Sequence, residues 1–142
     1  MRVFRQPAEG DVRRLLAAAR LPAEDLTAAH LAHFFGCGPN DRPQGVGGVE
    51  IHGADALLRS VAVDEKARGQ GCGKALVAAL EQHARAQGAR RITLLTTTAP
   101  GFFTGLGYRV ITRDEAPTRI RSTPEFSDLC PESAVVMMKD LG

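Results

Sequence analysis

One segment constrains the fold of this chain more than any other, because a strand pattern, a glycine-rich loop and a long helical pattern follow one another directly. Ala56–Val63 is rich in β-branched residues and leucine, the loop Arg68–Lys74 reads Arg-Gly-Gln-Gly-Cys-Gly-Lys, and Gly71–Gln87 repeats apolar residues at helical spacing. A second strand pattern follows at Arg91–Thr97. Strand–helix–strand units of this length favour a right-handed crossover between parallel strands. The sequence therefore predicts a βαβ unit at the centre of an α/β fold.

The remaining patterns are short and complete a mixed sheet. A tight turn at Gly53 joins two strand patterns and predicts an antiparallel hairpin. We predict one domain, 1–142, with a mostly antiparallel sheet flanked by helices. The other predicted elements are strands over Arg2–Gln6, Gly45–His52, Tyr108–Thr112 and Ala134–Lys139, helices over Ala8–Ala19, Ala23–Phe34 and Gly101–Leu106, a turn over Gly36–Gly45, and a short helix capped by Thr123 with Pro131 beyond its end.

The loop has the chemistry of a diphosphate site. Glycines let backbone amides approach an anion closely, and the first turn of a helix adds unpaired N–H groups and a partial positive charge. Arg68 and Lys74 add full charges. Two common phosphate loops do not fit, because a nucleotide triphosphatase loop needs glycine at 68 and serine or threonine at 75, and a dinucleotide loop needs glycine at 74.

The pattern Arg-x-x-Gly-x-Gly over 68–73, after a strand and before a long helix, resembles the GNAT superfamily of acyl-CoA N-acyltransferases. A second segment, Ala99–Tyr108, reads Ala-Pro-Gly-Phe-Phe-Thr-Gly-Leu-Gly-Tyr and is similar to the Ala-x-x-Phe-Tyr-x-x-Leu-Gly-Phe segment of that superfamily. Together the two motifs cover Leu57–Tyr108. The resemblance implies a GNAT fold whose central βαβ unit binds acetyl-CoA as a co-substrate.

The same resemblance implies how acetyl-CoA is held. Backbone groups of Val61 and Val63 would hold the pantetheine and polarise the acetyl carbonyl, and loop amides would take the diphosphate. Alignment of the reactants and stabilisation of the oxyanion by a backbone N–H would then supply much of the rate. The predicted cofactor-binding residues are Val61, Ala62, Val63, Arg68, Gly69, Gln70, Gly71, Cys72, Gly73, Lys74 and Phe103, and Val61 is also assigned to catalysis.

In GNAT enzymes the amine attacks the thioester directly, so the amine must be neutral. A lysine-like amine requires about 4.6 kcal/mol to be neutral at pH 7 and an α-amine about 1.4 kcal/mol. Glu50, on the strand beside Ala56–Val63, is the predicted base, and His52 is the second choice; the alternative is that Glu50 is a surface glutamate. No general acid is assigned, because Phe103 stands where the superfamily has a tyrosine.

Four residues are predicted to bind the substrate. Arg59 and Ser60 belong to the strand next to the acetyl site and are expected on opposite faces. Arg121 belongs to a late loop and is suited to reading a carboxylate, and Thr97 ends a strand. The alternatives are solvated arginines and a threonine chosen as a good strand former.

Three segments narrow the resemblance. Leu57–Val63, Leu95–Thr98 and Ile120–Pro131 are similar to the GNAT group associated with bacterial arsenic-resistance genes, which also resembles amino-acid N-acetyltransferases. We therefore expect an N-acetyltransferase for the amine of a small amino-acid-like molecule, with arsenic or antimetabolite resistance as its setting. Two alternatives stay open: a protein N-terminal acetyltransferase, and a catalytically silent acetyl-CoA-binding sensor, which the phenylalanine at 103 suggests.

Charge and composition restrict the partners. A net charge of +2, from 18 basic and 16 acidic residues, argues against nucleic acid or membrane as the main partner. No apolar run reaches the roughly 20 residues of a membrane span, and the first residues do not resemble a signal peptide, so we expect a cytoplasmic protein. A homodimer is implied by resemblance to other GNAT domains.

The cysteines and histidines give weaker signals. Three dispersed cysteines predict no disulfide framework. The spacing of His30, His33 and Cys37 would suit three metal ligands, but chance spacing is far commoner, and we predict no metal. Cys72 stands at a helix start, where a thiolate is stabilised, although a variable residue of the loop is the simpler interpretation.

Overall fold

The structure is a computed structural model that describes residues 2–129 and 133–142. Seven strands hydrogen bond in the order β1-β2-β3-β4-β5-β7-β6. Pairs β1–β2, β2–β3, β5–β7 and β6–β7 are antiparallel, and β4–β5 is parallel, so the predicted mixed, mostly antiparallel sheet is confirmed. The strands are β1 (Val3–Arg5), β2 (Phe34–Cys37), β3 (Gly45–His52), β4 (Asp55–Val63), β5 (Arg91–Thr96), β6 (Arg109–Ile111) and β7 (Val135–Asp140), and the α-helices are α1 (Glu9–Ala18), α2 (Ala28–Leu31), α3 (Cys72–Ala86), α4 (Pro100–Gly105) and α5 (Thr118–Arg121).

The chain forms two compact units. The first contains the residues up to Glu50 and Leu58–His83, and the second contains Ile51–Leu57 and Ala84–Gly142. Because β3, β4 and α3 each contribute to both units, a single domain over 1–142 stays a prediction. No helix among the described residues has both the length and the apolar character to cross a bilayer.

The core of the first unit contains a cluster in which residues of α1 pack with Leu26, Phe34, Val46 and Ala62. Val12, Leu15 and Leu16 of α1 are buried, as their helical spacing predicts. Helix α3 lies close to glycines of β3: a Cβ on Gly45 would be 2.5 Å from the Cys72 sulfur, and one on Gly47 would be 2.9 Å from Leu80 Cδ1. The glycines of β3 therefore allow a close approach of helix and strand.

The second unit contains the parallel pairing of the βαβ unit. Asp55–Leu57 of β4 pairs with Arg91–Thr93 of β5 in parallel, which confirms the predicted parallel pairing of the two strands. Gly88, with a φ of +98°, stands at the predicted left-handed cap of the preceding helix. The buried apolar cluster of this unit is Leu57, Ile111, Ala116, Ile120, Phe126, Val136 and Met138.

The predicted helix over Ala23–Phe34 is wrong. Only α2 is α-helical there, and it begins after Thr27, whose side chain accepts a hydrogen bond from the His30 amide. The predicted turn over Gly36–Gly45 contains the second half of β2. All four residues of this strand are buried and pair with β3, Phe34 opposite Gly48. Two consecutive phenylalanines favour a strand, and pairing with β3 buries them.

The segment around Thr123 is partly as predicted. Thr123 Oγ1 accepts a hydrogen bond from the Phe126 amide at 3.3 Å, so Thr123 does cap a helical turn. That turn, Glu125–Leu129, is π-helical, and α5 before it was not predicted. Pro131, the predicted stop, lies outside the described residues.

Candidate active site

The loop between β4 and α3 has a backbone that glycine makes accessible. Gly69 and Gly71 have φ values of +81° and +89°, a region that residues with a Cβ rarely adopt. A Cβ built on either residue would have no atom within 4 Å. The glycines are therefore required by conformation, and the space beside their backbone is open.

Helix α3 starts directly after this loop. The Ala75 amide donates a helical hydrogen bond to the Gly71 carbonyl at 3.0 Å, so the amides of Cys72, Gly73 and Lys74 belong to the first turn of the helix. Lys74 is exposed, and so is the first part of the loop, Arg68–Gly71. Open backbone, helix-start amides and two exposed cations fit the diphosphate of coenzyme A.

The sulfur of Cys72 lies beside Gly45 of β3. The Cys72 side chain is buried, and burial, together with the hydrogen bond and charge of Cys37, raises the pKa of the Cys72 thiol to about 12. The helix start therefore does not stabilise a thiolate at this position, and the interpretation of Cys72 as a stabilised thiolate is wrong.

Strand β4 departs from regular geometry at Ser60. Its φ of +60° is left-handed, which interrupts the alternation of side chains along the strand. The Arg59 Nε donates a hydrogen bond to Ser60 Oγ at 3.1 Å. Neighbouring side chains that bond in this way do not lie on opposite faces, so that expectation is wrong.

Arg59 is the centre of a buried group of charges. Its guanidinium donates to Glu50 Oε2 at 2.7 Å and to both oxygens of Asp25, at 2.5 and 2.7 Å. The Arg59 side chain is 0% exposed, Glu50 8% and Asp25 9%, so Glu50 is not a surface glutamate. We call Asp25, His30, Glu50 and Arg59 the Arg59 cluster.

Asp25 and His30 complete this cluster. Burial alone would raise the pKa of Asp25, but the hydrogen bond and charge of Arg59 and the charge of His30 hold it below its usual value of 3.8. His30 Nε2 lies 3.5 Å from Glu50 Oε2. Sequence reasoning missed both residues in this role, although threonine three residues before a polar side chain, as in Thr27 and His30, is a capping signal.

The Arg59 cluster also resembles a metal site by distance. Asp25, His30 and Glu50 each present a ligand atom, and these atoms lie within 4.8 Å of one another. The guanidinium of Arg59 already bonds to the carboxylates of Asp25 and Glu50, so it takes the place that a metal ion would have between them. His33, the second histidine of the spacing considered above, contacts His83, with 2.8 Å between ring nitrogens.

The predicted site residues of the second unit lie in three places. Phe103 is buried against Tyr108, with ring centroids 5.7 Å apart. Thr97 is exposed just beyond the end of β5. Arg121 is exposed on α5 and donates to Thr118 Oγ1 at 3.4 Å. Their participation in binding stays a prediction.

Comparisons with solved structures agree on the fold. N-acetylglutamate synthase from Neisseria gonorrhoeae, complexed with coenzyme A and N-acetyl-glutamate, matches all of this chain with a TM-score of 0.82 at 20% identity, and the match covers 36% of that chain. Rv2747 from Mycobacterium tuberculosis, in complex with CoA, matches at 0.80 and 23% identity over 99% of both chains. The ribosomal-protein-S18-alanine N-acetyltransferase from Escherichia coli matches at 0.69 and 18%, over 99% of this chain and 94% of that one.

Sequence comparison decides the family. No curated protein sequence matches the chain. The model of the acetyltransferase (GNAT) family matches residues 5–108, which include the loop, the Arg59 cluster and the segment that ends at Tyr108. The chain therefore belongs to the acetyltransferase (GNAT) family, and the predicted class of enzyme, an acetyl-CoA-dependent acetyltransferase, is confirmed.

Proposed function

We propose that the chain transfers the acetyl group of acetyl-CoA to the amine of a small amino-acid-like molecule. The loop Arg68–Lys74 carries this proposal, because its open, left-handed glycines lead directly into the first turn of a 15-residue helix. Bound acetyl-CoA would supply the thioester from which the acetyl group leaves. In this proposal the loop amides, Arg68 and Lys74 hold the diphosphate, and the backbone of Val61–Val63 orients the pantetheine.

Glu50 is the proposed base. Asp25 and Glu50 carry two negative charges against the single positive charge of Arg59, so the Arg59 cluster attracts an ammonium group when His30 is neutral. Glu50 then takes the proton that the ammonium must lose. An α-amine needs only about 1.4 kcal/mol to be neutral at pH 7, so a single carboxylate is a sufficient base for its deprotonation. The N-acetyl-glutamate in the gonococcal structure supports an amino-acid-like acceptor.

The proposed substrate contacts divide by exposure. Arg59 is buried and bonded to two carboxylates, so its proposed role is to position Glu50 and not to contact the substrate itself. Arg121 is exposed and is the proposed reader of a substrate carboxylate, which a guanidinium binds with two parallel hydrogen bonds. Ser60 and Thr97 are kept as proposed hydrogen-bonding partners of the substrate.

Binding and turnover together test the proposal. Calorimetry should detect acetyl-CoA binding, and thiol release should be fastest with free amino acids in a panel that includes peptides and alkylamines. Turnover of peptides alone would instead support a protein N-terminal acetyltransferase. Binding without turnover of any acceptor would support a sensor, and absence of binding would refute the whole proposal.

A matched pair of glycine variants tests the loop. Gly71→Ala forces a Cβ into a left-handed backbone, which costs roughly 1–2 kcal/mol, so acetyl-CoA affinity should fall about 5- to 30-fold if the loop turns to avoid it. Gly10→Ala adds a Cβ in open space in α1 and should leave affinity unchanged. Glu50→Gln should lower kcat and leave the affinity for acetyl-CoA unchanged.

The proposed link to arsenic resistance has a chemical limit. Inorganic arsenite carries no amine, so N-acetylation does not modify it. Resistance through this reaction requires a toxic molecule with an amine, such as an anionic amino-acid analogue. Bacteria expressing the chain should therefore resist such analogues and not arsenite, and the Glu50→Gln variant should lose that protection. Resistance to arsenite that survives this substitution would contradict the proposed link.

A further inference from the structure

His30 has a defined orientation beside the proposed base. Its Nδ1 lies 3.1 Å from the Thr27 amide and 2.9 Å from Thr27 Oγ1, and the His30 amide in turn donates to that oxygen. Thr27 and His30 thus form a capping box at the start of α2, with histidine in the place where glutamate or glutamine is usual. The ring is held from one side by the backbone.

This contact determines which nitrogen faces the carboxylates. A backbone N–H only donates, so Nδ1 of His30 accepts from Thr27 and the proton of the neutral ring lies on Nε2. Nε2 is 3.5 Å from Glu50 Oε2 and 4.0 Å from Asp25 Oδ2. The N–H end of the ring therefore faces the oxygen of Glu50 that also accepts from Arg59.

Exposure separates His30 from the rest of the Arg59 cluster. Its side chain is 22% exposed, whereas Arg59 is 0%, Glu50 8% and Asp25 9% exposed. Arg59 approaches Glu50 from inside the protein, and His30 approaches it from the more accessible side.

We propose that His30 is a positioning residue, which holds the Glu50 carboxylate from the solvent side through an Nε2–H that the Thr27 cap keeps in place. The inference rests on the proposed function, in which Glu50 accepts the proton of the substrate ammonium. The titratable and charged groups that face Glu50 in the first unit include Asp25 from the loop before α2, His30 from α2 and Arg59 from β4.

Three substitutions of His30 separate positioning from structure. His30→Gln keeps both functions, because the amide oxygen can accept from Thr27 and the amide nitrogen can donate to Glu50, so kcat/KM for the amine should stay within about threefold. His30→Ala removes the donor, and kcat/KM should fall roughly 10- to 100-fold, as for a lost charge-assisted hydrogen bond. The KM for acetyl-CoA should not change.

The charged variant gives a readout that a purely structural residue would not move. His30→Glu retains the capping box but places a negative charge beside Glu50, which should shift the acidic limb of the kcat/KM profile to higher pH. Glu115→Ala is the matched control, because Glu115 is the third residue of the other capping box, with Thr112, and does not belong to the Arg59 cluster. Its profile should match the parent.

Two further measurements keep this inference distinct from the proposed function. If Glu50→Gln is fully active, the assignment of the base fails whatever the His30 variants do. Nitrogen-15 spectra of labelled histidine, assigned by comparison with His30→Gln, report the tautomer without any turnover. An Nδ1-protonated ring, or equal losses in the glutamine and alanine variants with unmoved pH profiles, would overturn the positioning role of His30.

Discussion

Replacing Arg59 by methionine should destabilise the protein more than any exposed substitution. The guanidinium donates to both oxygens of Asp25 and to Glu50, and its side chain is fully buried. Methionine leaves two carboxylates, whose oxygens lie within 4.8 Å, without their cation. Removing one partner of a buried ion pair costs about 3–5 kcal/mol, and for a chain of this length that loss lowers the Tm by roughly 10–20 °C.

The loss should depend on pH in a defined direction. In the parent protein the pKa of Asp25 is lowered, so its contribution to stability is present above its unfolded value of 3.8 and is lost as the pH falls through the folded value. Without Arg59, burial and the neighbouring carboxylate favour the protonated form of Asp25, so the variant gains stability relative to the parent as the pH falls. The difference in unfolding free energy should therefore be smaller at pH 4.5 than at pH 7.

Urea unfolding followed by far-ultraviolet circular dichroism suits this chain, which has no tryptophan. Arg13→Met is the control, because Arg13 pairs with Glu9 across one helical turn and the two side chains are 44% and 57% exposed. Such a pair contributes at most about 0.5 kcal/mol. An Arg59→Met variant within 1 kcal/mol of the parent, or a loss that is unchanged at low pH, would refute the reasoning.

Three other predictions concern packing and titration. Gly45→Ala places a Cβ 2.5 Å from the Cys72 sulfur and should lower the free energy of unfolding in urea by about 1–3 kcal/mol. Gly10→Ala adds a Cβ in open space on a helix and should raise it by about 0.5–1 kcal/mol. Equal effects of the two substitutions would contradict the packing argument. Burial and the charge of His33 lower the pKa of His83 from 6.5. The free energy of unfolding should therefore be highest above that pH and decline as the pH falls below it. His83→Gln should flatten this dependence of stability on pH between about pH 7.5 and 5.5. Because the pKa of Cys72 is about 12, iodoacetamide at pH 8 should modify it in urea but not in the native protein, as peptide mass mapping would report.

The sequence predicted best where one pattern had one physical interpretation. The long apolar stripe between Gly71 and Gln87 and the strand patterns on either side fixed the βαβ unit. The helix predicted over Ala23–Phe34 was wrong because its alanines favour a helix. The contact that decides the end of this segment is the pairing of Phe34 with Gly48, 14 residues further along the chain. Tertiary pairing overrode local propensity.

The candidate site divides in the same way. Glycine is typical of a left-handed backbone conformation, so the pattern of glycines predicted the accessible loop directly. The position of Glu50 on its strand was predicted. Asp25, the other carboxylate that bonds to Arg59, lies 34 residues from it in the sequence, and a contact of that range leaves no periodic signal. The left-handed conformation of Ser60 could not be predicted either, because serine is not typical of that conformation in a strand.

The glycines of β2 and β3 restrict how this chain can diverge. Every amino acid that one base change can substitute for glycine carries at least a Cβ. At Gly36 that carbon would lie within 3 Å of the Phe4 ring, and at Gly48 within 3 Å of the Phe34 ring. Phe4 is half-buried and its ring can move aside, whereas Phe34 is buried. A lineage that loses Gly48 must therefore shrink residue 34 as well, so Gly48 and Phe34 should covary across relatives that keep this fold.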